Sequence, residues 1–149
     1  LGSGSKQWKR NGFTLTEVLT TLAIAAMVMG GTIYAYMQAA RRAEWAAYSL
    51  AAQGLAFQQM ERAKAAKWDS LIIPATADSD YLVAANFPVY TSVLDVALST
   101  SNTINARVAT SISGVTTGAL LRQIRVDCEW PFFDRMFTNT VITYRAPDQ

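Results

Sequence analysis

Histidine is absent from the 149 residues, and cysteine occurs once, as Cys128. Without histidine the chain lacks the commonest metal ligand and general base. One thiol can form neither an intramolecular disulfide nor a cysteine-cluster metal site. Serine-type triads and zinc motifs are thereby excluded in their usual forms, and nothing points to a carboxylate- or lysine-based site instead. The expectation is a protein that is not an enzyme and needs no cofactor or metal. Strong charge is also missing: a net +2 is too small by itself to argue for a nucleic-acid partner. A small exported domain without a disulfide depends on its core or on partner subunits for stability.

Two further scarcities are local. Between Asn11 and Ala40 there is no Lys or Arg and a single acid, Glu17, and no proline occurs between Phe13 and Pro74. Phe13–Met37 reads FTLTEVLTTLAIAAMVMGGTIYAYM, long enough to cross a bilayer core as a helix, which takes about 20 residues. Lys6, Lys9 and Arg10 precede it, and Arg41 and Arg42 follow. Positive charge on the short leading flank favours a cytoplasmic N-terminus, and Tyr34 and Tyr36 fit an interfacial belt at the far end. Everything after about residue 40 is then expected across the membrane. An ordinary secretory signal has an apolar stretch of about 7–15 residues with a small-residue cleavage site after it. Here the stretch is longer, and the small residue beside the basic start, Gly12, comes before it. The opening Leu1-Gly2-Ser3-Gly4-Ser5 reads as a fragment start or cloning scar and is left out of fold reasoning.

Glu17 sharpens this picture. An ionisable group in a membrane segment is costly and functional by default. Thr14-x-x-Glu17 is also a capping-box pattern, in which the acid satisfies free backbone N–H groups at a helix start. Both readings stand, and they can apply at different stages of assembly.

The run Lys9-Arg10-Asn11-Gly12-Phe13-Thr14-Leu15-Thr16-Glu17-Val18-Leu19 closely resembles the class III signal of type IV prepilins and type II secretion pseudopilins. Five features share one frame: basic leader, Gly, Phe, Glu and an uninterrupted apolar helix, over about residues 6–40. The resemblance implies that prepilin peptidase cuts after Gly12 and that Phe13 becomes an N-methylated N-terminus. It implies that Glu17 lies in the filament core, paired with the Phe13 amine of a neighbouring subunit. A buried carboxylate is tolerated when a cation meets it. One departure stands out. Major pilins usually carry a proline in this helix, and here Gly30-Gly31 is the only weak point, costing about 2 kcal/mol of helix propensity relative to alanine. Those glycines serve either local flexibility or close helix packing. The missing proline fits a minor pilin or a pseudopilin better than a major pilin.

The expected fold is α+β, the pilin fold. A leader of residues 1–12 comes first, then a transmembrane or filament-core helix over 13–37, then an amphipathic helix and globular head over 38–149. A helix from Phe13 to about Lys67 is roughly 80 Å long. Ala43, Ala47, Leu50, Gly54 and Phe57 recur at helical spacing as an expected buried stripe, thickened by Leu55, Met60 and Trp68. Glu61, Arg62, Lys64 and Lys67 read as a solvated face with local ion pairs. Met60 to Leu71, with Trp68-Asp69-Ser70-Leu71 at its end, resembles the helix exit of minor pilins and related pseudopilins. Residues 72–90 read as a loop containing Pro74 and Pro88. Strands are expected at Val89–Leu98, Ile104–Ile112, Ile124–Trp130 and Thr138–Tyr144, with turns at Ser99–Asn102 and Pro131–Asp134. Alternation over Ile124–Trp130 sends Ile124, Val126, Cys128 and Trp130 to a core, so Cys128 reads as a core residue. Phe132 and Phe133 either cover the sheet edge or meet a neighbouring subunit.

The leading expectation is therefore a minor-pilin-like filament subunit. The alternatives are a type II secretion pseudopilin, a single-pass anchored protein that never polymerises, and an exported enzyme or binding protein with an unusual leader. The resemblance implies as partners other pilin subunits, prepilin peptidase, an inner-membrane platform protein, a distant assembly ATPase and membrane lipid. It implies a subunit in the bacterial inner membrane, with its head periplasmic, that later joins a filament.

Overall fold

The computed structural model describes residues 12–69, 80–94, 96, 103–115 and 120–148. The chain forms two compact units, Leu1–Arg42 and Ala43–Gln149. One helix, α1 (Leu15–Lys64), contributes to both.

In the first unit α1 carries apolar residues on every side, and these are exposed. Leu15, Leu22, Met27 and Ile33 are all exposed. This helix is long and apolar enough to cross a membrane. Its threonines place their hydroxyls on the preceding turn. Thr20 Oγ1 donates to the Glu17 carbonyl at 3.0 Å, Thr21 Oγ1 to the Glu17 and Val18 carbonyls at 2.9 Å, and Thr32 Oγ1 to the Val28 carbonyl at 2.7 Å. Such back-bonding satisfies a hydroxyl where no water is present.

In the second unit a four-stranded antiparallel sheet has the order β1-β2-β3-β4, with β1 at Tyr90–Leu94, β2 at Ile104–Val115, β3 at Leu121–Phe132 and β4 at Arg135–Arg145. Every strand pairs with its sequence neighbour, so the sheet is a meander built from local contacts. Its buried face presents Val108, Ile124, Val126, Cys128 and Trp130 to the core. As the alternation requires, Cys128 is fully buried, and burial pushes its thiol up to about 11, with Glu129 adding a smaller push. The α+β class, the long helix and the four antiparallel strands are those of the pilin architecture.

Details differ from expectation in instructive ways. Helix α1 ends at Lys64 rather than near Lys67. Its buried residues here are Tyr48, Ala52, Ala56, Gln59, Met60 and Ala63. The expected stripe is wrong: Leu50 is 72% exposed and Phe57 47%, and Ala43 and Gly54 are also exposed. The buried face, with Ala52, Ala56 and Ala63 beside Tyr48, Gln59 and Met60, lies about one position round from the expected stripe, because small and large residues occur on every side of this helix. Met60 and Trp68 are buried as expected. Lys64 does pair with Glu61 at 2.9 Å on an exposed face.

Three strands run longer than their sequence signal. Pro131 and Phe132 belong to β3, and the turn shrinks to Phe133-Asp134. Proline is admitted because pairing of β3 with β2 ends at Glu129, so Pro131 lies where β3 pairs with β4 alone. β1 is shorter than Val89–Leu98. Part of that span, the Ser99–Asn102 turn, Ser70-Leu71 and residues 72–79 of the 72–90 loop lie outside the described residues. The described end of that loop holds a short 3-10 turn at Ala84–Asn86.

Candidate assembly site

The five residues singled out in the sequence all lie in the first unit, at the start and middle of the apolar helix. Gly12 and Phe13 are exposed and precede the first helical turn, with Phe13 80% accessible. Thr14 caps that turn: its carbonyl accepts from the Glu17 amide at 3.0 Å and from the Val18 amide at 3.2 Å. Its hydroxyl lies 3.4 Å from the Glu17 amide, a long contact. This is one half of a capping box. The other half, a bond from the Glu17 carboxylate back to the Thr14 amide, is not among the hydrogen bonds of the described residues. Glu17 is thus an exposed acid one turn into an apolar helix, near the helix N-terminus, where the macrodipole favours negative charge.

Gly30 and Gly31 sit in unbroken helix. A Cβ built on either would meet nothing within 4 Å. No contact inside the chain therefore requires glycine there. The structure brings Gly12, Phe13 and Glu17 within about one helical turn of one another along the chain, and leaves the glycine pair three to four turns further on.

A second cluster, in the second unit, was invisible in the sequence. Arg122, at the start of β3, forms two bonds to the Asp80 carboxylate at 2.5 and 2.6 Å, donates to the Leu82 carbonyl at 2.6 Å and lies 4.4 Å over the Trp68 ring. Arg145 donates to the Ala66 carbonyl and, at 2.6 Å, to Asp148. Asp148 in turn accepts from the Trp68 amide at 2.8 Å, and its own amide donates to the Trp68 carbonyl at 2.7 Å. The Arg122 hydrogen bonds hold the Asp80 carboxyl below the usual carboxylate value, against a smaller opposing effect of burial. The Trp68 amide does the same for Asp148, helped by Arg145. This clasp ties the exit of α1 to β3 and to the C-terminal residues. Apart from Arg145–Asp148, its hydrogen-bonded partners are 40 to 80 positions apart, so no local pattern announces them.

Among the described residues no cluster of acidic, cysteine or histidine side chains could hold a metal ion. Residues 9–33 match the family model of the prokaryotic N-terminal methylation motif, the signal found in type IV prepilin-like proteins. No curated protein and no solved structure matches the chain.

Proposed function

We propose that this chain is a minor-pilin-like structural subunit of a type IV pilus, cut after Gly12 and assembled through α1, with no catalysis of its own. One observation carries the reading: residues 9–33 match a methylation motif and lead into a helix whose apolar side chains are exposed among the described residues. Such a surface is satisfied by lipid before assembly and by sibling helices afterwards. In this reading the leader is residues 1–12, the filament-core helix 13–37 and the head 38–149. Prepilin peptidase acts at the Gly12–Phe13 bond, and Phe13 is then methylated. The Glu17 carboxylate meets the Phe13 amine of a neighbour and fixes the axial register. Gly30 and Gly31 serve the bending or close packing of the helix. The subunit resides in the inner membrane with its N-terminus cytoplasmic and its head periplasmic, in contact with a platform protein, before it enters the filament.

The proline-free course of α1 through Gly30-Gly31 equally supports a type II secretion pseudopilin. Deleting the gene separates the two readings, through loss of surface fibres in one case and loss of protein export in the other. Mass spectrometry of the protein from its native membrane tests their common ground. The expected mature chain begins with methylated Phe13, and a working protein that retains its leader would overturn the proposal.

A further inference from the structure

The β3–β4 hairpin closes on a two-residue turn, Phe133-Asp134, whose residue type is unusual for that geometry. Phe133 has φ 51°, in the left-handed region that a bulky side chain rarely enters. A two-residue hairpin loop asks for positive φ, usually supplied by glycine or asparagine, and here a phenylalanine supplies it. The ring is not buried: Phe133 is 68% exposed, and Met136, the second residue of β4 and paired with Pro131, is 64% exposed. The tip is nevertheless rigidly backed. Phe133 stacks edge-on against Phe132 at 4.7 Å, and Phe132 lies 6.1 Å from Tyr48 and 6.2 Å from Trp130. An aromatic ring is thus held outward by a firm aromatic base.

Its location says what it faces. Phe133 shares the lining of an open groove with Glu44 and Tyr48 of α1, the end of the second unit at which the chain enters it. Arg41 and Arg42 immediately follow the apolar stretch, where such side chains reach the headgroups. Glu44 is three positions after Arg41, a span of at most about 11 Å even fully extended. The headgroup layer is itself about 5–7 Å thick on each side of the hydrocarbon core. Chain length therefore keeps Glu44 within reach of the lipid surface, and the tip lines the same groove as Glu44. The tip's charges are Asp134 and Arg135, one of each sign, and Glu44 stands on the groove. That mixture suits zwitterionic headgroups and gives no attraction to anionic ones.

We propose that, in the membrane-resident subunit, the Phe133–Met136 tip rests in the headgroup layer of the bilayer on the head's side and docks the second unit on the lipid surface. This rests on the membrane-anchored reading of α1. Burial of an aromatic and a thioether side chain at an interface is favourable in proportion to the apolar area covered. The contact has to be given up when the subunit leaves the bilayer, so it acts as a latch on the unassembled form.

The test uses the full chain in phosphatidylcholine–phosphatidylethanolamine vesicles, at low protein density, with a nitroxide on Met136→Cys, which leaves Phe133 in place. Cys128 is fully buried and does not take the label. Controls carry the label on Leu120→Cys, at the opposite end of β3, and on Met27→Cys, in the apolar helix. The expected result is several-fold lower accessibility to a water-soluble paramagnetic reagent at 136 than at 120, unchanged by salt and abolished when Phe133→Asp is added. A label at 136 as water-accessible as that at 120, with the label at 27 in lipid, overturns the latch and leaves the anchor standing. If the label at 27 is also in water, the anchored reading fails and the latch with it. Protection at 136 that appears only at high protein density assigns the tip to a second copy of the chain, and protection lost in salt assigns it to charge. Either outcome overturns the proposal.

Discussion

A carboxylate near the middle of a bilayer costs a few kcal/mol, and less when it sits close to one end of the helix. Glu17 is near the start of α1, where the macrodipole offsets part of that cost, so the subunit tolerates it in lipid. On the proposed filament reading the larger effect comes on assembly, where sibling helices would replace lipid and the acid would need a cation. Removing one partner of a buried ion pair costs about 3–5 kcal/mol, more than a hundredfold in an equilibrium. Glu17→Leu should therefore insert into membranes at least as well as the parent and enter filaments far less, as measured by the ratio of sheared-filament to membrane-bound protein. Glu17→Gln keeps hydrogen-bonding capacity and should fall between the two. Equal incorporation of all three variants would remove the pairing role. At this scale much was legible. The lone acid in an apolar run and the alternation that buries Cys128 are both local patterns. The left-handed backbone of Phe133 was not, because phenylalanine gives no sign of a turn that glycine or asparagine would have advertised.

Among elements, strands were more readable than the face of the helix. Alternation fixes which side of β3 is buried, because a period of two leaves no ambiguity. On the second half of α1, alanines and larger residues occur on every side, and periodicity alone could not say which face meets the sheet. The choice is made by the sheet's bulk. Trp130, stacked on Phe137 at 5.2 Å, donates to Asn139 at 2.9 Å, and Asn139 in turn donates to the Ser49 carbonyl at 3.1 Å. Contacts of that kind join positions 90 apart. The clasp around Trp68 is likewise non-local and carries its own test. The Asp80 carboxyl sits below its ordinary value of 3.8 because Arg122 holds its charged form. A group whose pKa falls on folding adds stability above its unfolded value and loses that contribution as pH drops through the lower folded value. Asp80→Asn should then be less stable than the parent by about 2 kcal/mol at neutral pH, the scale of a hydrogen bond to a charged group. The gap should close as the pH is taken below 3.8. Urea midpoints of the detergent-solubilised chain at several pH values measure this, and a gap independent of pH would assign the effect to packing alone.

For the whole molecule, the proposed function requires α1 to exchange lipid for sibling helices. Gly30 and Gly31 bear on this directly, because a Cβ at either position meets no atom of the chain itself. In the isolated subunit, replacing both by alanine should only help, by about 1 kcal/mol of helix propensity at each site. Within an assembly the same change has the opposite sign on either available account. Close helix packing loses the approach that a missing Cβ permits, and a local bend loses the residue that makes it cheap. Gly30→Ala/Gly31→Ala subunits should accordingly show unchanged insertion and slightly higher helix content in detergent, but a lower yield of filament. Circular dichroism and quantification of sheared filaments read the two effects separately. Filament yield equal to the parent would mean that neither glycine faces a neighbour or a bend. The helix would then assemble through its larger apolar side chains alone, with Glu17 as its only register mark.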